Sequence, residues 1–170
     1  MERKIGARSE RLARALANAN VRLVLAESCT AGLIAASLGA VPGISNHLCG
    51  SMVTYRDATK QQWLGVAQTV LDEHTAVSSQ VARLMVTGAL VATPEADLAA
   101  AVTGHLGPNA PHDQDGLIFA AVGSRCPGTG QIRDAHVREF RLKSHGRNAR
   151  QAEAVSLVLD LLLQTLQTDQ

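Results

Sequence analysis

Three short segments of this chain are almost entirely apolar, and helical patterns separate them along the sequence. They cover residues 21–27 (VRLVLAE), 97–104 (DLAAAVTG) and 117–123 (LIFAAVG). Short apolar runs bounded by polar residues or glycine are typical of strands buried on both faces of a sheet. Such strands need a layer of helices on each side. The alternation therefore predicts an α/β fold, a three-layer α/β/α domain around a mixed, mostly parallel sheet.

Amphipathic and capping patterns define the remaining elements. They predict helices over 7–19, 30–39, 58–65, 78–93 and about 147–167, and strands over 50–55 and 132–142. The imperfect alternation of the last strand is typical of a half-exposed edge. Ser78 or Ser79 is expected to cap the helix that begins there. Without a repeat, a low-complexity run or a linker, the sequence predicts a single domain over 1–170.

The charge balance, the cysteine count and the absence of long apolar runs exclude several classes of binding partner. Sixteen Lys and Arg residues nearly balance fifteen Asp and Glu residues, and no basic stripe indicates a nucleic-acid interface. Three cysteines without a CxxC pair argue against a disulfide framework or a zinc site. The N-terminus has no apolar signal region, and no run is long enough to span a membrane. We expect a cytoplasmic protein that binds neither nucleic acid nor membrane, with Ala-rich helices and an edge strand compatible with a homodimer.

Three loops follow predicted strands directly and carry polar residues. They cover residues 27–30, 55–60 and 103–115. In an open α/β sheet, ligands bind beyond the carboxyl ends of strands, where loops lead into helices. We therefore expect these three loops to converge on one functional site.

The first loop places Ser28, Cys29 and Thr30 side by side before a predicted helix. One interpretation is that Ser28 or Thr30 caps that helix. The other is that the helix N-terminus holds an anion or oxyanion, with Gly32 allowing close approach to the backbone. Both interpretations are compatible if Thr30 caps and Ser28 reacts. Cys29 is the rival nucleophile, although a free cysteine most often packs as a small buried hydrophobe.

A nucleophilic serine needs a base, and no Gly-x-Ser-x-Gly elbow surrounds Ser28. The second loop offers Lys60, with Tyr55 five residues before it. Lysine acts as a base only in its neutral form, which burial or a nearby positive charge favours. Tyr55 would then relay a proton or orient the pair. The alternative for Lys60 is an ordinary exposed helix lysine.

At this point the sequence resembles a known family. The stretch LAESCTAGLIAASLG, the VTY sequence before Tyr55, a lysine 32 residues after Ser28, and the segments DLAAAVTGHLGP and GLIFAAV look like the C-terminal domain of CinA proteins. The similarity extends in order from about residue 8 to 165. Many relatives carry an additional N-terminal domain, for which 170 residues leave no room.

This family includes the nicotinamide-nucleotide amidases, also called PncC. The resemblance implies a hydrolase without metal or cofactor that deamidates nicotinamide mononucleotide, a pyridine nucleotide, to nicotinate mononucleotide and ammonia. It implies Ser28 as the nucleophile, assisted by Lys60 and Tyr55. It also implies that Thr30, Ala31 and Gly32 border the phosphate or oxyanion region. The same argument places the third-loop residues Thr103, Gly104 and Gly107 in the substrate pocket. A nucleotide-binding or regulatory module that has lost turnover is the alternative.

Three departures from the family pattern concern recognition rather than the reacting groups. Ala31 replaces the first glycine of SCTGG, where a positive φ is costly for alanine. Asp57 replaces the asparagine of YSNEAK. The third loop lacks the Lys-Pro pair of the family and instead carries four residues with metal-ligand chemistry, His105, His112, Asp113 and Asp115. Their spacing matches no metal motif, so we expect a polar surface loop.

Overall fold

The computed structural model describes residues 2–168, which form six α-helices, one 3₁₀ turn and five strands. The strands are β1 (Leu23–Glu27), β2 (Leu48–Val53), β3 (Leu98–Gly104), β4 (Leu117–Ser124) and β5 (His136–Arg141). The helices are α1 (Glu2–Ala19), α2 (Leu33–Gly39), α3 (Asp57–Leu64), α4 (Gln68–His74), α5 (Ser79–Ala92) and α6 (Arg147–Thr168), and the 3₁₀ turn covers Ile44–Asn46. None of the described helices is long and apolar enough to cross a membrane.

The strands form one mixed sheet in the order β2-β1-β3-β4-β5. Strands β2, β1 and β3 are parallel, whereas β4 is antiparallel to both of its neighbours. Four of the five strands therefore run in one direction, as the apolar runs predicted. The central strands β1 and β3 are buried along their length because a helical layer covers each face.

Two aliphatic cores separate the layers. Helices α1, α2 and α6 pack on one face of the sheet, with Leu12, Ile34 and Leu159 in their core. Helices α3, α4 and α5 pack on the other face, with Leu64 and Met85 in theirs. The alternation of side chains along β1 sends successive residues to opposite cores. This alternation determines which functional side chains share a face.

Most predicted elements are present, with shifted ends. Helix α1 begins five residues before the predicted start, and α4 was not predicted. Ser78 is the residue that caps α5, because its hydroxyl accepts from the Val81 amide at 3.2 Å. Gly65 ends α3 at φ 67°, which agrees with the sequence prediction. Strand β5 lies at the sheet edge as predicted.

Candidate active site

The three polar loops meet at the carboxyl edge of β1, β2 and β3. A pocket of about 250 Å³ lies there, lined among others by Ser28, Tyr55, Lys60, Thr103, Gly104 and Gly107. These six residues come from all three loops that the sequence indicated. A larger cleft of about 790 Å³ lies at the opposite end of the sheet, and none of the predicted site residues lines it. The smaller pocket is therefore the candidate active site.

Lys60 is buried rather than exposed, with 1% of its surface accessible. It lies on the inner face of α3, and its Nζ donates to Asp57 Oδ1 at 3.4 Å across one helical turn. Burying an ammonium group without full pairing is unfavourable, so an exposed lysine would be the default for structure alone. The burial of Lys60 beside Ser28 instead fits a functional group.

Glu27 precedes Ser28 and organises the turn that carries it. Its carboxylate is fully buried and accepts five hydrogen bonds between 2.8 and 3.1 Å. The donors are two hydroxyls and three backbone amides: Thr30 Oγ1, Ser51 Oγ, and the amides of Gly32, Ile34 and Ala35. The sequence analysis gave Glu27 no role. The role of Glu27 could have been predicted from its position between a strand and a helix start, because a negative charge is favourable near a helix N-terminus.

At the start of α2, the carboxylate of Glu27 accepts the backbone hydrogen bonds that were predicted to go to a capping hydroxyl or to a bound anion. Gly32 is the residue before α2, with no side-chain cap, and its amide and the Thr30 hydroxyl both donate to Glu27. Thr30, Ala31 and Gly32 are not among the residues that line the pocket. That these three residues border the substrate stays a prediction, and the negative charge of Glu27 beside them disfavours an anion at this place.

Ala31 adopts the left-handed conformation, at φ 53°. Its amide donates to the Ser28 carbonyl at 3.1 Å and closes the turn after the nucleophile. A glycine would adopt this φ with less strain. The departure from SCTGG thus leaves the turn intact in a strained form.

Arg147, at the first position of α6, also lines the pocket. Its guanidinium donates to the Tyr55 hydroxyl at 2.5 Å and to the Gly107 carbonyl at 2.7 Å. The sequence analysis assigned no function to this residue. Because Arg147 lies 92 positions after Tyr55, only the tertiary structure brings it to the site.

The divergent third loop is held to α6 by an ion pair. Arg150 donates to both carboxylate oxygens of Asp115, at 2.7 and 2.6 Å. This hydrogen bond lowers the pKa of Asp115 below its usual range. His105 lines the pocket, whereas His112 and Asp113 are exposed and contact each other at 2.8 Å. Among residues 2–168, no group of three or more His, Cys, Asp and Glu side chains is placed to hold a metal ion.

Cys29 is buried, and burial raises the pKa of its thiol to about 12. The thiol therefore stays protonated at neutral pH, and a protonated thiol is a poor nucleophile. Cys29 belongs to the core between the sheet and helices α1, α2 and α6, as the sequence analysis expected. Of the two candidate nucleophiles, Ser28 is therefore the one that the first loop favours.

Fold and site together define an α/β protein with a serine, a buried lysine and a tyrosine in one pocket beyond the sheet. The family model named CinA C-terminal domain matches residues 6–166, and the chain belongs to this family. Curated relatives called CinA-like protein include that of Chlorobium luteolum, 36% identical over 78% of this chain, and that of Synechococcus sp., 38% identical over 88%. The chain spans about a third of the length of these relatives, 32% and 34% respectively.

Solved structures of the superfamily share the fold over almost their whole length. A CinA superfamily protein from Klebsiella pneumoniae superposes with a TM-score of 0.87 at 31% identity, covering 96% of this chain and 98% of that one. A competence/damage inducible protein from Agrobacterium tumefaciens gives 0.85 at 31% identity, covering 96% of each chain. The fold and the family resemblance are thereby confirmed.

Proposed function

We propose that this protein is a serine–lysine amidohydrolase that deamidates nicotinamide mononucleotide. The observation that carries the proposal is the burial of Lys60 in the pocket that Ser28 and Tyr55 also line. The proposed nucleophile comes from the first loop, and the proposed base and polar assistant both come from the second; nucleophilic catalysis requires such a convergence. The family resemblance supplies the substrate.

In the proposed reaction, Ser28 Oγ attacks the carboxamide carbon and neutral Lys60 takes its proton. Lys60 then gives the proton to the leaving nitrogen, the carbon–nitrogen bond breaks, and ammonia departs. Water, deprotonated by Lys60, then attacks the acyl carbon, the bond from this carbon to Ser28 Oγ breaks, and Lys60 returns the proton to Oγ as the acid product leaves. In this series of steps, Lys60 acts in turn as a base and as an acid.

Two donors are available to the oxyanion. The Cys29 amide follows the nucleophile directly and, within residues 2–168, donates to no other residue. The Tyr55 oxygen accepts from Arg147, so its own hydrogen is free to point toward the substrate. Preorganised donors of this kind stabilise the charge that develops on the carbonyl oxygen.

Arg147 is the cation that we assign to the substrate phosphate. Glu27 already occupies the amides at the start of α2, so that helix has no free anion site. Arg147 lines the pocket with a guanidinium that is suited to bidentate binding of phosphate. The proposal thus places the nicotinamide toward Ser28 and the phosphate toward α6.

Ammonia release from nicotinamide mononucleotide, measured in the presence of a chelator, tests the proposal. We expect turnover with the nucleotide and a lower kcat/KM with nicotinamide riboside, which lacks the phosphate. Replacing Arg147 by methionine should remove this preference between the two substrates. The absence of ammonia release from either substrate by the folded protein would refute the proposed activity.

Asp57→Asn provides a further prediction. The Asp57 carboxylate, 3.4 Å from Lys60 Nζ, stabilises the ammonium form, which cannot accept a proton. We expect Asp57→Asn to raise kcat/KM at pH 7 by about 3- to 10-fold, a modest factor because Asp57 is half exposed and therefore screened. Steady-state ammonia release at pH 7 compares the variant with wild type, and an unchanged kcat/KM would contradict this role of Asp57.

The same ion pair supports a second candidate function. If Lys60 remains charged in the wild type, the pocket binds the nucleotide without turnover. Calorimetric binding of nicotinamide mononucleotide without ammonia release would identify this non-catalytic module. Ammonia release that appears only in Asp57→Asn would then establish the ion pair as the cause.

A further inference from the structure

Thr54 carries a buried hydroxyl that has no role in the proposed reaction. Its side chain is fully inaccessible, and its Oγ1 has no hydrogen-bond partner among residues 2–168. A buried hydroxyl without a partner is unfavourable, because it gives up its hydrogen bonds to water and gains none in return. Because valine has the same shape without that penalty, structure alone would favour valine at this position.

The sheet register places Thr54 beside the nucleophile. Glu27 pairs with Val53 on one side and with Val102 on the other, and both ladders continue by one residue. The Thr54 amide donates to the Glu27 carbonyl at 2.8 Å, and the Ser28 amide donates to the Val102 carbonyl at 3.0 Å. Thr54, Ser28 and Thr103 therefore form one row across the ends of β2, β1 and β3.

This row faces the layer that contains Lys60. Ala26 and Met52, two residues before Ser28 and Thr54, both pack with the core under α3, α4 and α5. Since alternate residues of a strand share a face, the row points to the same side. Thr103 agrees, because its hydroxyl donates to the Ala76 carbonyl between α4 and α5. Lys60 enters this side from α3, next to Leu64 in the same core.

The Thr103 hydroxyl and the nearby side chains of Lys60 and Asp57 have partners, whereas the Thr54 hydroxyl has none among residues 2–168. Thr103 is committed to Ala76, and Asp57 contacts Lys60 from the exposed side at 3.4 Å. The Lys60 amine has two further N–H donors in its ammonium form. In the neutral amine, an acceptor on the buried side would bind one N–H group and so direct the single lone pair toward Ser28.

We propose that Thr54 is a positioning residue for Lys60: its buried hydroxyl accepts a hydrogen bond from Nζ when the amine turns from Asp57 toward Ser28. This inference rests on the proposed Ser28–Lys60 chemistry but not on the identity of the substrate. The unpaired hydroxyl is kept because the reacting arrangement, rather than the resting one, uses it. Thr54 contacts Lys60 rather than the substrate and acts only by orienting the amine.

Thr54→Val tests the proposal, because it removes the hydroxyl and keeps the shape. Phenylmethanesulfonyl fluoride is a probe of Ser28 that needs no knowledge of the amide. Ser28 Oγ forms a bond to sulfur, the sulfur–fluorine bond breaks, fluoride leaves and Lys60 takes the proton. We expect the labelling rate, measured by intact and peptide mass spectrometry, to fall about 10- to 100-fold in Thr54→Val. Thr54→Ser should restore most of the rate.

The chain offers a matched control in Ser9, a second buried hydroxyl without a partner among the described residues, which lies in α1 away from the pocket. Ser9→Ala should leave the labelling rate unchanged. The thermal midpoint of Thr54→Val should not fall, because the variant loses only an unpaired polar group. Equal labelling of Thr54→Val and wild type, or no labelling of Ser28 in either, would overturn the proposal.

Ammonia release from nicotinamide mononucleotide, measured on the same variants, separates this inference from the proposed function. If wild type releases no ammonia, but Thr54→Val is labelled more slowly than wild type, the positioning role is supported and only the proposed substrate is refuted. Ammonia release that is equal in Thr54→Val and wild type refutes the positioning role and leaves the amidase intact. In an active enzyme, we expect kcat to fall with little change in KM.

Discussion

Ser28→Ala is expected to lower the kcat for ammonia release by at least about 1,000-fold, since it removes the only group that forms the acyl intermediate. Lys60→Met should cause a comparable loss, because it keeps the buried stem and removes the base. Groups that act as a unit are not additive, so the double variant should be no slower than either single variant. Steady-state ammonia release and circular dichroism together distinguish lost chemistry from lost folding.

Cys29→Ala is the control for this prediction. The Cys29 thiol has a pKa raised to about 12 by burial, so only a minute fraction is thiolate at neutral pH. Turnover by Cys29→Ala should therefore persist, with stability lowered modestly by the lost core contact. Loss of turnover in Cys29→Ala together with an active Ser28→Ala would assign the nucleophile to Cys29 and contradict the proposed mechanism.

Glu27→Gln is expected to destabilise the folded protein by about 3 kcal/mol. The carboxylate accepts five hydrogen bonds, and a glutamine must place its NH₂ group against donors that surround one of the two oxygens. At least one donor, such as the part-buried amide of Ala35, then loses its acceptor. For a chain of this length, the thermal midpoint should fall by about 6–12 °C.

The matched control is Glu139→Gln, because Glu139 is exposed on the edge strand β5. Its effect should stay within about 0.5 kcal/mol, as is usual for surface substitutions. Chemical denaturation of both variants, at pH 7, compares the free energies of unfolding directly. Equal stability of Glu27→Gln and wild type would show that the buried carboxylate does not hold the turn together.

The sequence by itself determined the architecture. A strand that is apolar on both faces, such as 97–104, is shielded from water only between two layers of helices. The pattern therefore predicted buried strands in a sheet covered by helices on both sides. It also determined which loops converge, because the carboxyl ends of parallel strands lie at one edge. Ser28, Tyr55 and Lys60 were found in this way, since the two loops that contain them follow strands along the chain.

Tertiary structure alone decided which polar groups have partners. Arg147 reaches Tyr55 across 92 positions, and Glu27 takes the donors that Thr30 and Gly32 were expected to offer an anion. Within the described part of the chain, the Thr54 hydroxyl has no partner because the register sets it beside Ser28 in a closed core. Periodicity encodes which face of an element is buried, but hydrogen bonds depend on positions within a few tenths of an ångström, which only the packing of distant segments determines.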